Sequence, residues 1–211
     1  MQMQLVAQDL AVNRGERTVF AGLSFVVPPG EALILTGPNG AGKTTLIRTI
    51  AGFLRPAAGK LALEAGDPDS SIGEQCHYVG HRNALKSNLT VLENITFWQR
   101  YLSQDQSDLL PGRAGAALDT FGLLELSHIP AGYLSDGQQR RLCLARLQLT
   151  RRPVWLLDEP TAALDAASQG VLEAVIDRHL RAGGLAVVAT HQPIDLSPQR
   201  ELTLGAGAED A

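Results

Sequence analysis

The chain has 211 residues, of which 45% are hydrophobic and 19% are charged, and its formal net charge is -4. This size and composition allow one globular domain with its own core, which we expect to span residues 1–211. The acidic balance argues against a nucleic-acid partner, because such proteins usually carry a basic face. The sequence has no apolar run long enough to cross a membrane. Its N-terminal residues lack the pattern of a secretory signal, so we expect the chain to stay in the cytoplasm.

The N-terminal part of the chain favours strands, with one helix after the third of them. The hydrophobic pattern predicts strands at about 3–12, 24–27 and 31–36, a helix at 43–52, and strands near 59–64 and 75–80. From residue 90 to about 150 the pattern is helical, and it opens with the capping box Thr90-x-x-Glu93. A strand at 153–158, a helix at 167–181 and a strand at 185–190 then restore the alternation that builds a parallel sheet covered by helices. The predicted class is α/β, with a helical insertion over about 85–150.

A glycine-rich segment, GPNGAGKT, lies between the apolar strand EALILT and the helix that follows it. This is the context of a phosphate-binding P-loop, whose backbone N–H groups wrap the phosphates at a helix N-terminus. We expect Lys43 to reach the β- and γ-phosphates and the Thr44 hydroxyl to bind Mg²⁺. The predicted nucleotide-binding residues of this segment are Gly37, Pro38, Asn39, Gly40, Ala41, Gly42, Lys43, Thr44 and Thr45.

An acidic pair ends the apolar strand VWLL. Asp158 and Glu159 therefore lie at the sheet edge where open α/β folds present residues to a ligand. Asp158 can hold Mg²⁺ through a water molecule, and Glu159 can polarise the water that attacks the γ-phosphate. His191 ends the later strand LAVVAT and is placed to touch the γ-phosphate. The predicted catalytic residues are Lys43, Glu159 and His191.

A second anion site is predicted at LSDGQ, directly before the helix QQRRLCLARL. Ser135 and the N–H group of Gly137 stand at a helix start, where anions bind, and Gln138 completes the predicted contacts. A simple helix cap is the alternative interpretation. Two γ-phosphate sites in one chain are explained if two copies pair head-to-tail, so that the LSDGQ of each copy closes over the nucleotide held by the other.

The order of these motifs resembles that of the ATP-binding-cassette (ABC) family: P-loop, LSDGQ, DEP, Ala163-Leu164-Asp165 and then His191. The resemblance implies a P-loop NTPase fold with a parallel core sheet, an N-terminal antiparallel β subdomain and an all-helical insertion. It also implies that the chain binds ATP and Mg²⁺, and that it works as a homodimer on a separate integral membrane subunit. Asp165 would then cross the dimer interface.

A narrower resemblance comes from the stretch HYVGHRNALKSNLTVLENITFW together with LSDGQQRRLCLARL. These segments look like those of the ATP-binding subunit of the haem exporter of cytochrome c maturation. That likeness implies membrane subunits of the same system as partners and a peripheral location at the cytoplasmic face of the inner membrane. The transported substrate is left open, since the energy could instead release a haem carrier.

Three positions depart from the usual family pattern. His81 stands where most members carry a glutamine beside the metal, and imidazole offers one acceptor where the amide oxygen offers two. His81 is therefore predicted either as a metal-site residue or as part of a surface loop. No aromatic residue near Asn13 and Arg14 offers a ring to adenine, so we expect the Arg14 guanidinium to stack there, with Phe20 as a second candidate. Asp136 replaces the more usual glycine of the signature.

The first helix of the insertion has two apolar faces. Ile95, Trp98 and Leu102 recur at helical spacing and suit the core of the insertion. Phe97 and Tyr101 lie on an adjacent face, which is too apolar overall for exposure to water. Either all five side chains pack internally, or the second face receives a short cytoplasmic helix from the membrane subunit, as in the transporters that this chain resembles.

Three other functions fit part of the sequence. A cassette ATPase without transport, such as a translation or chromosome-maintenance factor, usually carries two cassettes or a long coiled-coil insertion, and the sequence has neither. A nucleotide-binding regulator would not hydrolyse ATP, but Glu159 and His191 are both present. A subunit of an ABC transporter for another substrate is the third alternative.

The cysteines and the basic pairs suggest no further site. Cys76 and Cys143 lack the spacing of a zinc site or a disulfide framework, which favours reduced, buried thiols. The basic pairs at 140–141 and 151–152 are interpreted as solvated surface.

Overall fold

The computed structural model describes residues 3–103 and 109–205. The chain divides into two compact units. The first, here called the sheet unit, comprises Met1–Tyr78, Arg152–Glu159 and Ile176–Ala211, and the second, the helical unit, comprises Val79–Arg151 and Pro160–Val175. The helical insertion predicted over about 85–150 includes residues 104–108, which lie outside the described residues.

The described residues form eight strands and five α-helices. The strands are β1 (Gln4–Arg14), β2 (Arg17–Val27), β3 (Ala32–Thr36), β4 (Ala58–Glu64), β5 (Cys76–Val79), β6 (Val154–Asp158), β7 (Leu185–Ala189) and β8 (Gln199–Thr203). The helices are α1 (Lys43–Ile50), α2 (Val91–Leu102), α3 (Arg113–Thr120), α4 (Asp136–Ala145) and α5 (Ala166–Arg181). No helix in this part of the chain is long and apolar enough to cross a membrane.

Two sheets organise the strands. β1 lies between β2 and β4 in an antiparallel sheet, and the other sheet has the order β5-β6-β7-β3-β8. In the second sheet β3 pairs in parallel with both β7 and β8, and β6 pairs in parallel with β7. Every residue of β6 and β7 is buried, as is typical of parallel strands covered on both faces. The predicted α/β class, with its parallel sheet and antiparallel N-terminal sheet, is confirmed.

Helix α1 anchors the sheet unit's core. Leu46 and Ile50 are fully buried in a cluster that includes residues of β1, β3, β6 and β7. The helix ends two residues earlier than predicted, because Gly52 adopts a left-handed φ of 79°. The N–H group of Phe53 then bonds back to the carbonyl of Arg48 at 2.9 Å, a common way for a helix to end.

Two strands differ from the sequence prediction. β2 begins at Arg17 rather than near residue 24, because Gly15 and Glu16 make a two-residue turn that pairs the whole of β2 with β1. β8 was not predicted at all. Its sequence QRELT lacks apolar alternation, and four of its five residues are exposed, as expected for a strand at the edge of a sheet.

The helical unit has a core of its own. Ile95 of α2, Leu118 of α3 and Leu142 of α4 are almost completely buried. Helix α2 begins where the sequence predicts, since the Thr90 hydroxyl accepts a bond from the Glu93 N–H group at 3.1 Å and the Glu93 carboxylate bonds back. This reciprocal cap satisfies backbone groups at the helix start.

The interpretation of the basic pairs as solvated surface is wrong for Arg140. Arg140 is only 3% exposed, and its guanidinium donates to the carbonyls of Gly80 at 2.9 Å and Pro160 at 3.2 Å. Arg152 is half-buried and donates to the carbonyl of Cys76 at 2.9 Å. Each arginine therefore forms hydrogen bonds to backbone carbonyls that lie far from it in the sequence.

The prediction that the cysteines are reduced, buried thiols is confirmed. Both cysteines are buried free thiols, and burial raises the pKa of Cys76 to about 12.

Candidate nucleotide-binding and catalytic site

The loop between β3 and α1 depends on its glycines. Gly37, Gly40 and Gly42 have φ angles of 120°, 82° and 106°, which other residues rarely adopt. A Cβ atom at Gly37 would lie 2.2 Å from the carbonyl oxygen of Leu204, and one at Gly42 would lie 2.8 Å from the side chain of Val19. The glycines therefore let the backbone follow the tight path that a phosphate-binding loop requires.

Lys43 begins α1, and its ammonium group is held by the loop itself. The residue is 7% exposed, and its Nζ donates to the carbonyls of Gly37 at 2.6 Å and Pro38 at 3.1 Å. Both acceptors are neutral, whereas an ammonium group bonds more strongly to anionic oxygen. A phosphate at the N-terminus of α1 would therefore offer Lys43 better partners than the ones it has.

Thr44 and Asp158 meet at the end of β6. The Thr44 hydroxyl donates to the carboxylate of Asp158 at 3.1 Å, and Asp158 is almost completely buried. A hydroxyl and a carboxylate are hard oxygen ligands of the kind that Mg²⁺ prefers. The donor chemistry of this pair therefore fits the predicted metal site.

Glu159 follows Asp158 with a strained backbone. Its φ is 49°, a left-handed conformation that is costly for glutamate and is often found at functional sites, and its N–H group donates to the carbonyl of Ala189 at 2.8 Å. The Glu159 carboxylate accepts a bond from the His191 N–H group at 3.3 Å and lies 3.5 Å from His191 Nε2. The predicted general base and the predicted phosphate-contacting histidine are thus direct neighbours.

These groups open onto one cavity of about 690 Å³, a size typical of small-molecule sites. The cavity is lined by Arg14, Arg17, Val19, Asn39, Gly40, Gly42, Lys43, Thr44, Thr45, Asp158, Glu159 and His191. The three predicted catalytic residues and two of the three predicted metal-site residues therefore face one space. Gly37, Pro38 and Ala41 belong to the same loop without lining the cavity.

Sequence reasoning missed two lining residues, Arg17 and Val19. The sequence prediction began β2 near residue 24 and so did not include the hairpin. A two-residue turn at Gly15 and Glu16 places Arg17 opposite Arg14. Phe20, the second candidate for stacking on adenine, instead packs against the core cluster, and it does not line the cavity.

The signature residues form a capped helix start in the helical unit. The Ser135 hydroxyl accepts a bond from the Gln138 N–H group at 3.3 Å, and the Gln138 side chain accepts one from the Ser135 N–H group at 2.9 Å. A Cβ atom at Gly137 would lie 2.8 Å from the carbonyl oxygen of Ala163. Asp136 occupies the first turn of α4, where the helix dipole favours a negative charge. The cap is present, and Ser135 remains exposed.

Two further predicted residues belong to the helical unit. The Asp165 carboxylate accepts a bond from the Ser168 N–H group at 2.8 Å at the start of α5, and its hydrogen bonds with Ser168 lower the pKa of Asp165. His81 is exposed in the segment after β5. The predicted contacts of Ser135, Gly137, Asp165 and His81 with nucleotide or metal remain predictions.

A P-loop, an acidic pair and a histidine thus surround one cavity, which is the arrangement expected of an ATP-hydrolysing site on an α/β sheet. The model of the ABC transporter family matches residues 20–162 of the chain. The chain belongs to the ABC transporter family, and it is an ATP-binding ATPase subunit of that family.

Within this family the chain is similar over nearly its whole length to proteins named cytochrome c biogenesis ATP-binding export protein CcmA. The protein of that name from Rhodopseudomonas palustris (strain BisB5) is 48% identical over 98% of this chain and 100% of its own length. The one from Agrobacterium fabrum is 48% identical over 96% of this chain and 95% of its own length.

Solved structures share the fold. The structure titled "Structure of ATP binding subunit of ABC transporter" superposes with a TM-score of 0.78 at 24% identity, covering 89% of this chain and 79% of that one. A putative ABC transporter ATP-binding protein from Pyrococcus furiosus superposes with a TM-score of 0.76 at 22% identity, covering 94% of this chain and 97% of that one.

Proposed function

We propose that this chain is the ATP-hydrolysing subunit of a cytochrome c biogenesis export system, bound to the cytoplasmic face of the inner membrane. The observation that carries the proposal is the 46% to 49% identity to proteins of that name over at least 96% of the chain. The energy of ATP drives a membrane subunit that exports haem or releases a haem carrier. The proposed partners are therefore integral membrane subunits of the cytochrome c maturation system.

Deleting the gene from its own organism should abolish the covalent attachment of haem to c-type cytochromes, and the wild-type chain should restore it. Haem-stained gels of membrane and soluble fractions measure the outcome. The Glu159→Gln variant, produced at the same level, should fail to restore attachment because hydrolysis supplies the energy. Normal c-type cytochromes in the deletion strain would contradict the proposed role in cytochrome c biogenesis. They would not contradict the assignment of the chain as an ATPase.

Five residues that line the cavity take a part in the proposed hydrolysis. Lys43 leaves its loop carbonyls and binds the β- and γ-phosphates. Thr44 and Asp158 would hold Mg²⁺, which would neutralise charge on the phosphates. Glu159 accepts a proton from the attacking water, and His191 contacts the γ-phosphate from its place beside Glu159.

The working form proposed here is a head-to-tail homodimer. Ser135 is exposed at the N-terminus of α4, where the partial positive charge of the helix favours a phosphate. In the dimer this helix start and Gly137 close over the nucleotide held in the other copy's cavity, with Asp165 crossing between the copies. ATP then joins the two copies, and its hydrolysis lets them separate.

The outer face of α2 is the proposed docking surface for the membrane subunit. Ile95 is fully buried in the helical unit, whereas Phe97 is 40% and Tyr101 70% exposed. The two exposed rings stack with a centroid distance of 6.1 Å, and Lys86 Nζ lies 4.9 Å from the centre of the Phe97 ring. Trp98 is half-buried beneath the guanidinium of Arg146. The exposed rings and the ammonium group suit a short helix that has an apolar side and an acidic residue.

Changing Phe97 and Tyr101 together to serine should release the chain from membranes that contain its partner. ATP binding and the melting temperature should change little, because Tyr101 is 70% and Phe97 40% exposed and substitutions at exposed side chains usually have small effects on stability. Sedimentation with membranes, nucleotide titration and thermal melting measure the three effects.

Phe53→Ser is the matched control, because Phe53 is an exposed aromatic residue of the sheet unit. It should leave membrane retention unchanged. Early melting of the double variant would mean that the two rings belong to the core of the helical unit. Normal retention would place the docking surface elsewhere.

A further inference from the structure

A buried arginine of α4 joins two separate segments of the helical unit. Arg140 is 3% exposed. Its Nε donates to the carbonyl of Pro160 at 3.2 Å, and its Nη1 donates to the carbonyl of Gly80 at 2.9 Å and to Asn83 Oδ1 at 3.2 Å. Arginine is seldom buried this far without partners, and its donors form a rigid plane. The guanidinium that binds Pro160 is therefore itself held in place by the other segment.

Pro160 directly follows Glu159, whose backbone is strained. The Glu159 φ of 49° persists only where the surrounding structure restrains it. Before this bend, the Glu159 N–H group donates to the carbonyl of Ala189 at 2.8 Å. After it, the proline has no N–H group, so its carbonyl is the one backbone group that can form a hydrogen bond. Arg140 binds that carbonyl, and it therefore restrains the chain immediately after the strained residue.

The conformation of Glu159 decides where its carboxylate lies. The carboxylate is now beside His191, whose N–H group donates to it at 3.3 Å. A relaxed, negative φ would turn the side chain away from that place. A general base must lie within hydrogen-bond reach of the attacking water, and a displacement of about 1 Å can slow a reaction by about 10²-fold. Lys43, in contrast, is held by carbonyls of its own loop, so phosphate binding does not depend on Arg140.

We propose that Arg140 is a positioning residue for ATP hydrolysis, which holds Glu159 in its strained conformation through the carbonyl of Pro160. Arg140 does not line the nucleotide cavity, and it acts only through Glu159. The proposal rests on the proposed role of Glu159 as the general base, and it does not rest on the role in cytochrome c biogenesis.

The test compares hydrolysis and ATP binding of the full chain, with each rate expressed per ATP-binding site so that unfolded protein does not contribute. Arg140→Gln should lower kcat by about 10- to 100-fold, and KM and the dissociation constant for ATP should stay within about threefold. Arg140→Lys keeps a donor for the Pro160 carbonyl and should give a kcat between those of Arg140→Gln and the wild type. Asn83→Ala removes one bond from the guanidinium at a half-buried position and should lower kcat by about two- to fivefold.

Two further variants separate positioning from a general loss of stability. In the Glu159→Gln background, Arg140→Gln should lower the remaining single-turnover rate by less than about twofold, because no general base is left to position. Arg113→Gln is the matched control. Arg113 is a half-buried arginine of the helical unit that donates to the carbonyl of Leu149 at 2.9 Å. This variant loses a bond of the same kind and should keep the wild-type kcat.

The proposal is overturned if Arg140→Gln keeps more than about half of the wild-type kcat while Glu159→Gln is slow. It is also overturned if the effects of the two substitutions multiply, or if Arg140→Gln weakens ATP binding as much as it lowers kcat. Should Arg140→Gln fail to fold, wild-type kcat in both Arg140→Lys and Asn83→Ala overturns the proposal, and a lowered kcat with normal ATP binding supports it. Fast turnover by Glu159→Gln alone would overturn the role of Glu159 and, with it, the role of Arg140.

Discussion

Glu159→Gln is expected to lower the rate of ATP hydrolysis by about 10²- to 10⁴-fold, the usual contribution of a general base. The amide cannot take the proton of the attacking water. The N–H group of His191 bonds to the Glu159 side chain at 3.3 Å, and an amide oxygen can accept the same bond. The local geometry should therefore survive the substitution. ATP affinity should stay within about threefold, since the proposed contacts to the triphosphate come from Lys43 and the loop.

Steady-state phosphate release and equilibrium titration measure the two quantities separately. A dimer that holds ATP should also accumulate, because the step that separates the copies is blocked, and size-exclusion chromatography with and without ATP would detect it. Glu125→Gln, at an exposed carboxylate of the helical unit, is the control and should hydrolyse ATP normally. Turnover above about half the wild-type rate in the Glu159 variant would show that another group is the base.

A second large effect is expected from pairing two inactive variants. Lys43→Ala should weaken ATP binding by about 10- to 150-fold, because charge-assisted bonds to the phosphates are lost. Ser135→Arg should bind ATP but not hydrolyse it, because a large side chain stands where the other copy's nucleotide must fit. In a dimer that contains one copy of each, one composite site has both an intact loop and an intact signature.

An equal mixture of the two variants should therefore recover about a quarter of wild-type hydrolysis, if copies exchange at random and each site acts alone. The recovered hydrolysis is measured by comparing the rate of phosphate release of the mixture with that of each variant alone. Thr90→Arg controls for the lost helix cap, because Thr90 caps α2 with the same reciprocal bonds that Ser135 gives α4. That variant should lose similar stability, about 0.5–2 kcal/mol, and keep hydrolysing. A mixture as inactive as its components, although mixed dimers form, would contradict the head-to-tail arrangement.

The site's local chemistry could be predicted because it depends on short motifs. A glycine loop between an apolar strand and a helix has few other uses, and Asp158 and Glu159 follow an apolar strand that had to be buried. The face of α2 that carries Phe97 and Tyr101 also followed from helical spacing, although spacing alone could not decide whether these rings were exposed.

The remaining features depend on contacts between distant parts of the chain. β8 has a polar sequence and is a strand only because β3 offers it an unsatisfied edge. Arg140 resembles a surface residue in the sequence, but its guanidinium donates to three acceptors from two separate segments. Arg17 lines the cavity because of the register between β1 and β2, and composition and periodicity do not predict that register. Such contacts are set by tertiary structure.

The placement of β3 has a consequence for how the protein is made. β3 leads directly into the phosphate-binding loop, yet both of its neighbours in the sheet, β7 and β8, come much later in the sequence and are synthesised long after it. The backbone of Leu204, just after β8, also packs against Gly37 of the loop and donates to the carbonyl of Thr36 at 3.0 Å. A ribosome-bound nascent chain therefore carries the complete loop sequence long before that loop can take its shape. Nucleotide capture therefore has to wait until β7 and β8 have been synthesised and have paired with β3.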